Sequence, residues 1–187
     1  MKMQRILALA AVIVPVTAGA QRLTAHRQFL AVEPYYSRLW LDAGANTSRI
    51  GLNAYGARLW VNMAPFGASR HLGLGLFTTY APEQDNRQFS IVHYGGQLEI
   101  FALNRPAGGV FDPFVTLGGG AFRTNSGGGS QTRFALTPGG GFRIPIPNRF
   151  QLRIDARDIV RFNVPNGTAA TRTANNLELQ AALGLTF

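Results

Sequence analysis

Few groups in this chain could carry nucleophilic or metal chemistry. It has three histidines, His26, His71 and His93, and no cysteine. Ser90 and His93 stand three residues apart, which in an extended strand puts them on opposite faces, so they cannot form a nucleophile–base pair directly. His71 has no serine beside it, and the three histidines lack the spacing of a metal site. They are expected at polar or interfacial positions. Without cysteine, no disulfide framework or thiolate ligand exists. The glycine triplets Gly118–Gly120 and Gly139–Gly141 are followed neither by Lys-Ser/Thr nor by a helical pattern, so they do not read as phosphate loops. No catalytic residue, metal site or cofactor is expected, and the chain does not read as an enzyme.

What remains is charge, and its placement is regular. Glu33, Arg58, Gln97, Glu99, Arg143, Arg153, Asp155, Arg157, Glu178 and Gln180 each sit in a run where polar or small residues alternate with apolar ones. In such a run every second side chain shares a face. If the apolar faces point away from a common axis, these ten converge on it. Charges confined together must pair, because an unpaired buried charge costs several kcal/mol. The same arginines could instead line an anion-preferring pore. Glu99, Arg143 and Arg153 are expected toward one end of that interior, and Arg157 and Glu178 toward the other, on adjacent strands.

The elements that would hold these groups are eight runs of period-two alternation. They cover roughly Phe29–Tyr36, Ile50–Met63, His71–Tyr80, Phe89–Leu103, Asp112–Thr124, Arg133–Ile146, Phe150–Phe162 and the final segment to Phe187. The last is the clearest: Leu177, Leu179, Ala181, Leu183, Leu185 and Phe187 fall on one face, and Glu178 and Gln180 on the other. In the seventh run the alternation slips at Asp158-Ile159-Val160, which suggests a bulge or the exit from the membrane. Connections after even runs are marked by proline: Ala64–Gly67, Asn104–Gly109 and Pro145–Asn148. Those after odd runs, Ser37–Arg49, Ala81–Gln88, Asn125–Thr132 and Asn163–Asn175, are mostly longer or more polar. Gly127–Gly129 reads as flexibility in the third of these.

The start of the chain indicates export. Lys2 and Arg5 precede an apolar run, Ile6–Val14, broken at Pro15, and Ala18-Gly19-Ala20 supplies a small-x-small cleavage pattern. Residues 1–20 read as a signal peptide, 21–28 as a short periplasmic segment, and 29–187 as the folded domain. The formal net charge is +9. Without Lys2 and Arg5, 16 arginines face 9 acids, leaving +7. Export and the dispersal of the arginines argue against nucleic acid. Anionic lipid headgroups or lipopolysaccharide phosphates suit arginine's planar fork.

Together, the signal at 1–20, the eight alternating segments, the stretch Asp112-Pro113-Phe114-Val115-Thr116-Leu117-Gly118-Gly119-Gly120 and the terminal Leu183-Gly184-Leu185-Thr186-Phe187 carry a resemblance. The chain resembles the small eight-stranded outer-membrane β-barrels, of the OmpA-type transmembrane-domain and OmpX-like kind. The resemblance implies an all-β, antiparallel, up-and-down transmembrane barrel in the bacterial outer membrane, and the chain is expected to be a monomer. It also implies that Leu183, Leu185 and Phe187 form a signal read by the outer-membrane assembly machinery. No segment is left over for a peptidoglycan-binding domain. The expected role is structural or surface-interacting, with an Arg/Glu/Asp network filling the lumen. The alternatives are a narrow anion-preferring pore and a soluble, exported, lipocalin-like barrel whose apolar faces would point inward.

Overall fold

A computed structural model describes residues 30–42, 49–63, 71–84, 88–101, 111–146, 149–165 and 171–187. The signal segment 1–20, residues 21–28, His26 and the cores of several connections, including 64–67 and 104–109, lie outside the described residues. Those described form eight strands: β1 (Leu30–Leu41), β2 (Ile50–Asn62), β3 (Leu72–Ala81), β4 (Phe89–Phe101), β5 (Asp112–Ser126), β6 (Gly129–Ile146), β7 (Phe150–Pro165) and β8 (Thr171–Thr186). Each pairs antiparallel with its sequence neighbours, and β8 returns to β1, so the sheet closes on itself. At the seam Phe187 N–H donates to the Leu30 carbonyl at 2.8 Å. Closure leaves the sheet without an edge strand, as a bilayer requires, and strands of 10 to 18 residues reach or exceed the length needed to cross the hydrocarbon layer.

The face assignment follows from period two. Leu59, Leu74, Leu76, Leu98, Val115, Leu117, Leu136, Ile154, Leu179 and Leu183 are exposed on the outer surface, Leu76 at 64%. Aromatic rings border this band. Tyr36, Tyr55, Tyr80, Tyr94 and Phe134 lie toward one end, and Phe111, Phe150 and Phe187 toward the other. An apolar belt between aromatic girdles is the outer face of a membrane barrel. A lipocalin-like barrel would need the opposite arrangement, and here the inside carries the charges. The end holding Leu30 and Phe187 is called the near end below. The end holding the β1–β2, β3–β4, β5–β6 and β7–β8 connections is the far end.

Four expectations about strand and loop extents need correction, all at the far end. The first run does not stop at Tyr36. β1 continues to Leu41 because Leu39 and Leu41 find an apolar interior to enter. Asn125–Thr132 is not a loop. β5 and β6 pair out to Ser126↔Gly129, leaving a two-residue turn at Gly127-Gly128. Gly129 there has φ 129°, a conformation that L side chains rarely adopt, so the glycines serve a tight turn rather than a flexible loop. The stretch Asn163–Asn175 is likewise strand at both ends, through Pro165 and from Thr171. No bulge falls at 158–160, where the register is regular and Ile159 keeps its inward place. The irregularity falls between Arg161 and Val164, where Asn163 takes φ 56°, a value asparagine tolerates better than most residues.

Candidate functional site

Inside the barrel the side chains stack in three zones. At the near end Trp60, Phe101 and Phe114 pack with Ala31. Trp60 meets Phe101 edge-on with ring centroids 5.4 Å apart. Gly73 leaves the room for this: a Cβ there would lie 2.2 Å from Trp60 Nε1. The Arg143 guanidinium lies over Trp60 at 4.1 Å and over Phe101 at 4.6 Å, and Arg153 lies over Phe114 at 4.1 Å. Such cation–π contacts favour a charge with little water around it.

The middle zone is ionic. Arg143 and Arg153 stand directly opposite each other on β6 and β7. Like charges in that position repel. Glu99, reaching across from β4, bridges them: one carboxylate oxygen accepts from Arg143, and the other accepts from Arg153 Nη1 at 2.6 Å. Arg153 Nε also donates to Asp155 Oδ2 at 2.7 Å. On β1 and β2, Glu33 and Arg58 are cross-strand partners at 3.0 Å. Arg58 then spans the lumen to Asp155 at 3.3 Å and to Gln180. Gln151 donates to Glu33, and Gln97 donates to Glu99. One step outward Arg157 pairs with Glu178, its register partner, at 2.8 Å. It also donates to Thr79 Oγ1 at 3.1 Å and stacks on Phe77. Tyr35 shares a 2.6 Å hydrogen bond with Thr79 and donates to the Thr78 carbonyl. Every one of these charged groups is buried, Arg153 at 1% exposure and Glu33, Glu99 and Glu178 at 0%.

The zone at the far end is apolar. Leu39, Leu41, Leu52, Ala54, Ala81, Ile91, Phe122, Ala135 and Ile159 form one buried cluster across the interior. His93 sits beneath it, its ring 4.9 Å from Phe77 and 5.6 Å from Phe122. Neither of its nitrogens has a hydrogen-bond partner among the described residues. The expectation of a polar or interfacial histidine is therefore corrected for His93, whose ring packs as part of an aromatic stack. Ser90 instead accepts a long hydrogen bond from Asn125, and His71 Nδ1 lies 2.9 Å from the Phe101 carbonyl.

Glu33, Arg58, Glu99, Arg143, Arg153 and Asp155 thus join one network linking β1, β2, β4, β6 and β7, while Arg157 and Glu178 form a second knot above it. Period-two reasoning did not reach the apolar cluster, nor Tyr35, Thr79 and Gln151 as partners. Leu39 and Leu41 were readable only by carrying the alternation of β1 past the polar-looking Ser37. At the rim Arg172 pairs with Asp42 at 2.7 Å, and that hydrogen bond raises its pKa above the ordinary arginine value. Leu183, Leu185 and Phe187 are exposed on the outer face of β8 at the near end. Among the described residues no cluster of three or more His, Asp or Glu has metal-site geometry.

A closed eight-strand barrel, apolar outside and charged within, has the fold of the small eight-stranded outer-membrane β-barrels. Among solved structures, Neisserial surface protein A (NspA) matches with a TM-score of 0.65 at 12% identity, over 84% of this chain and 97% of that chain. Ail, the attachment invasion locus protein of Yersinia pestis, matches with 0.55 at 9% identity, over 86% and 99%. The outer membrane protein OprG from Pseudomonas aeruginosa matches with 0.52 at 10% identity, over 87% and 98%. At these identities the likeness is one of fold. No family model matches the sequence, and no curated protein matches it.

Proposed function

We propose that this chain is an outer-membrane barrel with a closed lumen, acting structurally or through its exposed end rather than as a conduit or an enzyme. The observation that carries this reading is charge balance. Four buried arginines, Arg58, Arg143, Arg153 and Arg157, face four buried carboxylates, Glu33, Glu99, Asp155 and Glu178, and each makes at least one ion pair. A balanced, cross-linked interior offers an anion no excess positive charge, and breaking any pair to admit a solute leaves an uncompensated buried charge. The apolar zone above adds a barrier that an ion would have to cross without its water. An eight-stranded barrel is in any case just wide enough for its own side chains.

The same reading orients the molecule. The near end faces the periplasm, after export directed by residues 1–20, and the far end faces outside. Lipid and lipopolysaccharide contact the outer belt, and the exposed Leu183, Leu185 and Phe187 of the closing strand serve as the assembly signal. The matches to Neisserial surface protein A and to the attachment invasion locus protein of Yersinia pestis support a role at the exposed end. Reconstitution into planar bilayers tests the reading: insertion without steady conductance is expected, and a steady anion-preferring current that weakens in Arg157→Gln would replace closure with the pore.

A further inference from the structure

The far ends of β6, β7 and β8 hold positive charge that the lumen network does not absorb. Arg161 faces Ala135 on one side and Ala174 on the other, both fully buried, so its side chain belongs to the lumen-facing row at the mouth. Arg133 and Arg172 each lie two residues beyond those alanines, on the same faces. Diagonal neighbours of this kind stand about 7–8 Å apart, within reach of long side chains.

The three guanidiniums are held by different means. Arg161 lies over the Phe122 ring at 4.8 Å and donates from Nη2 to Asn176 Oδ1 at 3.1 Å. The backbone N–H of Asp42 donates to that same oxygen at 2.9 Å, which ties Arg161 to the rim of β1. Arg172 takes both oxygens of Asp42, at 2.7 and 3.2 Å. Arg133 donates to the carbonyl of Asn163, the positive-φ residue of the β7 irregularity, and to Gln131. The bulge thus turns a backbone oxygen toward Arg133 and positions it. Of the three, Arg172 alone has a carboxylate partner among the described residues. Arg161 Nε is buried and has no acceptor there. Arg161 and Arg133, neither with a carboxylate partner among the described residues, therefore stand at one mouth.

We propose that Arg161, flanked by Arg133 and Arg172, forms a binding site for a sulfate or phosphate ester group. Guanidiniums bind such groups through two parallel hydrogen bonds. The proposal rests on the far end being the exposed one, and adds to that reading the chemistry of what is met there.

The test uses the protein purified from outer membranes in detergent micelles, titrated calorimetrically with glucose 6-sulfate and glucose 6-phosphate at low and at about 0.15 M salt. Saturable binding is expected, weakened about tenfold by Arg161→Gln, the loss of one charge-assisted hydrogen bond. Asp42→Asn, which removes the competing carboxylate, is expected to tighten it. Arg123→Gln, on the outward face and bonded to Asn125 and Ser130, is expected to leave it unchanged. Tighter binding of the phosphate ester assigns the site to phosphorylated headgroup sugars, and tighter binding of the sulfate ester to sulfated glycans. No saturable binding, or equal loss in Arg123→Gln and Arg161→Gln, overturns the proposal. Micelle binding is read without reference to conductance, so its failure leaves the closed lumen standing, and a conducting lumen leaves the mouth site standing.

Discussion

Arg143 and Arg153 oppose each other across β6 and β7, and Glu99 is the acid that reaches both. Removing its charge leaves two facing guanidiniums in a buried space. Glu99→Gln is therefore expected to cost about 3–5 kcal/mol, the range for breaking a buried pair on one side, read from urea unfolding of the barrel in lipid vesicles. The rim pair Asp42–Arg172 is partly exposed, and Asp42→Asn is expected to cost less than about 1 kcal/mol in the same assay. Equal losses in the two variants would mean the interior is better hydrated than its burial indicates. A second residue-scale test concerns Gly56. A Cβ there would lie 2.2 Å from the Tyr35 ring and 2.4 Å from the Thr78 carbonyl. The ring could swing away only by giving up its bonds to Thr78 and Thr79, so Gly56→Ala is expected to cost about 1–3 kcal/mol.

At the scale of the strand, the outer face decides insertion. Leu76 projects from the middle of β3 at 64% exposure, and Leu76→Arg is expected to cost about 2–4 kcal/mol and to reduce assembly in the outer membrane. Leu183 pairs with Leu152, two residues from the start of β7, so it sits nearer the membrane boundary and Leu183→Arg is expected to cost less. Comparing heat-modifiable folded protein for the two variants checks the order; the reverse order would place the midplane elsewhere. The alternation that separates Leu76 from Phe77, or Arg157 from Ala156, is visible in the sequence, because period two alone sorts the faces. Strand ends are not. Ser37 interrupts the pattern of β1 with a polar residue, and only the presence of Leu52, Ile91 and Phe122 across the interior makes Leu39 and Leu41 inward-facing strand residues. Asp158 outward with Ile159 inward looks like a slipped pattern for the same reason: the interior changes from ionic to apolar at that height, and hydrophobicity ceases to report the face.

For the whole molecule, partner choice was the illegible part of the candidate site. Neighbouring pairs such as Glu33–Arg58 and Arg157–Glu178 follow once the register is known, but register depends on turn lengths and closure that no single run encodes. The long contacts, Arg58 to Asp155 and Glu99 to Arg153, exist because closure brings strands far apart in sequence to opposite walls of one narrow lumen. Closure of that lumen is the central claim, and single-channel recording of the purified protein in a planar bilayer tests it most directly. The account predicts confirmed insertion with no steady current, and no current from Arg157→Gln, since the apolar zone and the remaining pairs still span the bore. Steady conductance from the unmodified protein, with an anion preference lost in Arg143→Gln, would contradict it.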